Sequence, residues 1–183
     1  SFKERYDFFK AISLEKSGQS AARNAGINSA GGDYIGFVDS DDFIDPEMYE
    51  KLYRTAVDNE SELVKCGAVL FDSDSKQIIG SRTDFDDFTE SISLQRLFER
   101  YLKGKIDRVV WNGIYDKRLF ENIRFPDVSS YSDQYVTPNV FAEANTYVYL
   151  PKNLYFYRQH SGSLSHSRTN REQMERLKSL NEL

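Results

Sequence analysis

Three aspartates occupy four consecutive positions in Phe37-Val38-Asp39-Ser40-Asp41-Asp42, directly after an apolar run. Carboxylates packed this closely repel one another unless a cation or hydrogen-bond donors compensate. Hard oxygen ligands favour Mg²⁺ or Mn²⁺, and either ion can bridge onward to substrate phosphates. A plainer reading is a solvated acidic turn that caps the next helix. Asp45 already fills that capping place ahead of Pro46 and Glu47, which leaves Asp39, Asp41 and Asp42 without a structural task. An EF-hand loop is excluded, because counting from Asp39 puts Ile44 where that loop requires glycine.

The elements around the cluster place it at the rim of a sheet. Tyr34–Val38 reads as a buried strand, and in open parallel sheets ligands bind beyond the carboxyl ends of strands. Before it, Ser20–Ala30 reads as a helix of small residues that can pack close to a sheet, stopped by Gly31-Gly32. Further upstream, residues 2–10 carry aromatics at helical spacing and read as a helix fragment, and Ala11–Glu15 reads as a short strand. Downstream come a helix from Asp45 to about Asp58, a strand at Leu63–Phe71, a short strand at Gln77–Gly80 and an amphipathic helix at Ser91–Lys103. Then follow an extended stretch at Val109–Tyr115, a helical turn at Asp116–Asn122 and a helix at Tyr131–Asn145. Strands at Thr146–Leu150 and Asn153–Arg158 precede a polar helix at Thr169–Leu183. Alternation of strand and helix up to Phe71 predicts a parallel, helix-covered sheet, with a mixed pattern after it.

Composition narrows the function classes. The chain has 183 residues, 24 Lys+Arg against 29 Asp+Glu and a formal net charge of −5. The acidic balance argues against a nucleic-acid partner, which would need a basic face to displace counterions. The lone Cys66 leaves no internal disulfide. With 14% aromatics, the chain has enough Tyr and Phe both to fill a core and to line a sugar- or nucleotide-sized cleft. No Ser/His/Asp or Cys/His constellation suggests a covalent nucleophile.

Three blocks in order, Gly18-Gln19-Ser20-Ala21-Ala22-Arg23-Asn24-Ala25-Gly26, Ala30-Gly31-Gly32-Asp33-Tyr34-Ile35 and Phe37-Val38-Asp39-Ser40-Asp41-Asp42, resemble the central signature of family 2 glycosyltransferases. The resemblance continues more weakly through Trp111–Phe120, Tyr131–Gln134 and Tyr155–Ser165. It implies the GT-A fold: a Rossmann-like α/β mixed sheet flanked by helices, here at residues 1–160, with a C-terminal extension at 161–183. It also implies that the first strands of the nucleotide-binding half lie outside this chain, so the fragment could be inactive by itself.

The resemblance further implies an inverting transferase that moves a sugar from a nucleotide-diphosphate donor, a UDP-sugar first among the candidates, to a glycan or lipid-linked acceptor in cell-surface polysaccharide synthesis. It would act in the cytoplasm, with peripheral association at the inner membrane face. Carried over, Asp39 and Asp41 become the Asp-x-Asp acids that hold Mn²⁺ or Mg²⁺ against the diphosphate, with Asp41 the direct ligand and His160 or His166 completing the shell. Arg23 and Asn24 would lie near the donor, or support the loop as a helix-surface pair. Arg158 could pair with phosphate.

Asp133 aligns with the catalytic base, and Ser132 stands where a Glu is usual; both residues could instead cap the following helix. Gly113 stands where a Lys is common, and Trp111 reads either as core or as a platform for a sugar ring. Two competing functions remain: a metal-dependent nucleotidyltransferase, whose Gly- and basic-rich loop is not found here, and a non-catalytic GT-A-like binding domain.

Overall fold

The computed structural model describes residues 6, 8–15, 18–82, 94–105, 108–128 and 131–159. The helix of small residues forms as α1 (Gln19–Ser29) and buries Ser20, Arg23 and Ile27 along one stripe. The chain then enters β1 (Tyr34–Gly36), shorter than its apolar run, because Phe37 turns into the core while Val38 lies 45% exposed outside the ladder. After the acidic turn, β2 (Phe43–Ile44) leads into α2 (Met48–Asp58). The Asp45 carboxylate accepts the Glu47 backbone N–H at 2.9 Å, but α2 begins later than read, with Glu47 and not Asp45 at its cap position and no side-chain cap bond. Next come β3 (Leu63–Asp72), β4 (Gln77–Arg82), α3 (Leu94–Leu102) and β5 (Gly113–Asp116). A 3₁₀ turn at Lys117–Phe120, α4 (Ser132–Glu143) and β6 (Tyr147–Gln159) complete the order.

The sheet runs β1-β5-β3-β6-β2, with β4 on the far half of the β3 edge that β5 also uses. β3 and β6 are parallel, whereas β5 is antiparallel to both β1 and β3. The parallel sheet expected up to Phe71 is therefore interrupted, because β5 inserts between β1 and β3. Gly113 permits this: a Cβ there would lie 2.6 Å from the Val64 carbonyl oxygen. A residue with any side chain at this position would push the two strands apart. The two strands read at Thr146–Leu150 and Asn153–Arg158 form one, β6, whose register against β3 shifts between Cys66 and Ala68.

Period-two alternation along β3 divides the core. Leu63 joins Ile27, Ile35, Phe37, Tyr115, Val136 and Val140 on the α1/α4 face. Val64, Cys66 and Ala68 join Met48, Leu52, Ala56 and Trp111 on the α2 face. Each fully buried Met or Leu contributes about 1.5–3 kcal/mol by leaving water, and Met48 and Leu52 are both wholly inaccessible.

Of the helix read at residues 2–10, residues 2–5 and 7 lie outside the described residues. Tyr6 and residues 8–10 are not helical and Ala11–Glu15 is not a strand. Tyr6, Phe8 and Phe9 are 38%, 83% and 42% exposed, so these rings are largely uncovered by the described residues. The helix read at Thr169–Leu183 lies outside the described residues.

Candidate active site

Arg23 organises the site. It is buried on the inner stripe of α1, and its guanidinium lies 5.1 Å over the Phe125 ring. One nitrogen donates to Asp39 Oδ1 at 2.8 Å, and another is ion-paired with Asp133 Oδ1. Asp39 comes from the turn after β1 and Asp133 from the first turn of α4, so a single cation holds together residues 94 positions apart. Gln19 of α1 also donates to Asp39 Oδ1, at 3.3 Å. Burial alone would lower the guanidinium's pKa, but Asp133 and Asp39 outweigh it, and the group is held charged above its usual range.

The backbone delivers Asp133 by an unusual route. Tyr131, ahead of α4, adopts the left-handed region at φ 61° and makes no side-chain cap bond. Non-glycine residues rarely sit there, and such positions recur at functional sites. Neither Ser132 nor Asp133 caps the helix. Asp133 turns inward, where its second oxygen accepts the Val110 N–H at 3.2 Å. Burial raises the Asp133 carboxyl above the ordinary range, and Arg23 with the Val110 N–H offsets this only in part. A raised carboxylate is a better proton acceptor than a surface one.

The other acids of the turn separate by environment. Asp41 is exposed. Asp42 is drawn toward β6: Tyr155 donates its hydroxyl to Oδ2 at 2.6 Å and the Arg158 N–H reaches Oδ1 at 2.7 Å. Burial still pushes Asp42 up to about 6 against those two bonds, aided by Asp41 and Asp39. Burial and the bond to Asp42 hold the Tyr155 hydroxyl protonated.

Among the described residues no three His, Cys, Asp or Glu side chains gather as a ready-made metal site. Hard donors are nevertheless present in Asp41 and in Asp39 Oδ2, since both hydrogen bonds given to the Asp39 carboxylate end on Oδ1. One or two carboxylates, with phosphate oxygens and water filling the other positions, is a fitting set for Mg²⁺ or Mn²⁺.

The structure thus brings Arg23, Asp39 and Asp133 together, with Asp41 on the same turn as Asp39. Asn24 is elsewhere employed. Its amide donates to the Phe125 carbonyl at 2.8 Å and accepts the Phe125 N–H at 2.9 Å, which fastens the loop before α4 to α1. The Arg158 guanidinium lies 5.5 Å over the Phe43 ring. His160 and His166 lie outside the described residues. Trp111 is 3% exposed and stacked on Tyr155 and Tyr157, so it is core and offers no free face to a sugar.

Sequence reading gave no role to Tyr155 or Gln19. A tyrosine within an aromatic strand carries no local mark that its hydroxyl serves a distant loop. A cavity of about 680 Å³ lies at the other end of β1, near Gly32, Lys117 and Arg124. Its cations are occupied: Lys117 donates to the Ala30 carbonyl, Arg124 to the Ile123 carbonyl and Arg118 to Asp116.

Comparison with known proteins identifies the family and the fold. The family model described as Glycosyl transferase family 2 matches residues 1–124. The chain is 32% identical over 160 residues to Glycosyltransferase GlyA of Streptococcus pneumoniae, covering 84% of this chain and 23% of that protein. It is 34% identical over 165 residues to Putative glycosyltransferase EpsH of Bacillus subtilis, covering 85% and 46%. The chain therefore spans half or less of these relatives' length. The crystal structure of S. aureus TarS 1-349 in complex with UDP-GlcNAc matches with a TM-score of 0.71 at 22% identity, over 92% of this chain and 48% of that one. The mixed sheet with its flanking helices is accordingly a GT-A fold. With the family model spanning more than half of its residues, the chain belongs to glycosyl transferase family 2.

Proposed function

We propose that this chain carries the central part of a metal-dependent, inverting glycosyltransferase site that moves a sugar from a nucleotide-diphosphate donor to an acceptor hydroxyl. The observation that supports the reading best is the Asp39–Arg23–Asp133 bridge, which sets a metal-motif acid and a raised carboxylate on either side of one guanidinium. The solved relative's complex with UDP-GlcNAc favours a UDP-sugar as donor. A glycan or lipid-linked acceptor, presented at the cytoplasmic face of a membrane, completes the proposal.

In this reading Asp41 and Asp39 Oδ2 would hold Mn²⁺ or Mg²⁺. A bound divalent cation supplies Lewis-acid stabilisation of the charge that develops on a departing diphosphate. Asp133 takes the proton from the acceptor hydroxyl as its oxygen attacks the anomeric carbon from the face opposite the leaving group. Arg23 keeps Asp133 and Asp39 in fixed relation, and pairing with both prevents either from swinging into solvent. Ser132 stands where an acid is usual, so acceptor contact would fall to other side chains.

Calorimetry of UDP binding to the full-length protein, with and without Mn²⁺, tests the reading. Mn²⁺ should strengthen binding to the wild type, and Asp41→Ala should abolish that gain while the fold stays intact. Equal UDP affinity with and without Mn²⁺ would contradict the metal's place. Absence of UDP binding in either condition would favour a non-catalytic domain.

A further inference from the structure

Tyr155 is fully buried on β6, its ring stacked on Trp111 with centroids 4.2 Å apart. Its hydroxyl donates to Asp42 Oδ2 at 2.6 Å and accepts the backbone N–H of Asp39 at 3.2 Å. Three residues on, the Arg158 N–H closes on the other Asp42 oxygen at 2.7 Å. Between these anchors, the Asp42 N–H donates to the Asp39 carbonyl at 3.1 Å and closes the turn. Strand pairing continues from the same place, with Ile44 opposite Tyr155 and Phe43 opposite Phe156. The turn bearing Asp39, Ser40 and Asp41 is thus fastened to β6 at both ends.

We propose that Tyr155 and Asp42 are a positioning pair, which fixes the Asp39–Asp41 turn in the geometry that receives the donor diphosphate. Asp42 then serves as an internal ligand of the protein and not as a third carboxylate for the cation. This rests on the nucleotide-sugar reading above. The physical case is that three adjacent carboxylates repel one another, so an unfastened turn would spread. A displacement of roughly 1 Å in a positioning element can cost on the order of 100-fold in rate. A hydroxyl that both donates and accepts suits the task, because it satisfies the Asp42 oxygen and the Asp39 N–H together and adds no charge. The alternative, a core hydrogen bond with no bearing on ligand, predicts a loss of stability and nothing else.

The test is calorimetry of UDP with saturating Mn²⁺ on the full-length protein, alongside thermal melts, for Tyr155→Phe, Asp42→Asn, Asp42→Ala and the Tyr155→Phe/Asp42→Ala double variant. Phenylalanine keeps the stack on Trp111 and removes only the hydroxyl, so the protein should stay folded while UDP affinity falls about tenfold. Asp42→Ala should lose a similar factor. Asparagine keeps one acceptor oxygen but sets its NH2 against the other donor, so its UDP affinity should fall between those of the wild type and Asp42→Ala. The double variant should be no weaker than the weaker single, as expected of residues acting as one unit. Tyr155→Phe that binds UDP like the wild type, even with a lowered melting temperature, overturns the inference. Additive losses in the double variant do the same. In both cases wild-type binding leaves the nucleotide-sugar reading standing. If the wild type itself binds no UDP with Mn²⁺, that reading fails and takes this inference with it.

Discussion

Replacing Arg23 with methionine keeps an apolar stem against Phe125 but removes the charge that Asp39 and Asp133 share. Removing one partner of a buried ion pair costs about 3–5 kcal/mol, because the remaining charge is left uncompensated. The Asp39 and Asp133 side chains retain 21% and 18% exposure, so water relieves part of this. The lower end, about 3 kcal/mol, is therefore expected near neutral pH. For a domain of this size that corresponds to a fall of roughly 6–12 °C in Tm. The loss should shrink as pH falls. Asp133 already has a raised carboxyl, loss of the guanidinium raises it further, and protonation removes the uncompensated charge. Urea unfolding at about pH 7.5 and about pH 5, followed by Trp111 fluorescence, measures both effects. Adding Asp133→Asn should restore part of the stability. A loss below about 1 kcal/mol, or one that is the same at both pH values, would refute the assignment of Arg23 as the buried electrostatic hub.

Two further outcomes are expected. The Asp42 carboxyl is pushed from 3.8 to about 6 in the folded protein, so its contribution to stability is present below about pH 4 and is lost as pH rises through about 6. The full shift would amount to about 3 kcal/mol, and partial solvent access reduces this to about 1 kcal/mol. Melts from about pH 4 to about pH 7 should show that margin of wild type over Asp42→Asn shrinking, and a margin that grows instead would contradict the sign. Gly113→Ala should destabilise the protein by about 1–3 kcal/mol, because its Cβ would meet the Val64 carbonyl. An unchanged denaturation midpoint would mean that β5 and β3 can separate at little cost.

Local signals carried much of the fold. The small-residue helix is a short-range feature that forms close to its reading, but the chain leaves it at an extended Ala30, ahead of the glycine pair, and α2 begins at Met48, two residues past Pro46. What the sequence could not disclose was long-range. Nothing in Gly113-Ile114-Tyr115-Asp116 marks it as the strand that separates β1 from β3. Tyr6, Phe8 and Phe9 read as helical by their spacing, but the described residues there are not helical and those side chains lie largely exposed. In the site, the sequence singled out the acids by their crowding and Asp133 by its motif. Their sorting into one exposed, one tethered and two bridged by Arg23 depends on contacts across the fold. Asn24 shows the same limit: adjacent to Arg23 in sequence, it spends its amide on the Phe125 backbone.

We propose that the carboxylate held by Arg23 does the proton chemistry of sugar transfer. The direct measurement is single-turnover release of nucleoside diphosphate from a UDP-sugar, with acceptor present, by full-length wild type and Asp133→Asn. The variant should bind the donor as the wild type does and lose turnover by roughly 100-fold or more. Turnover by Asp133→Asn within a few-fold of the wild type, at equal donor affinity, would contradict it.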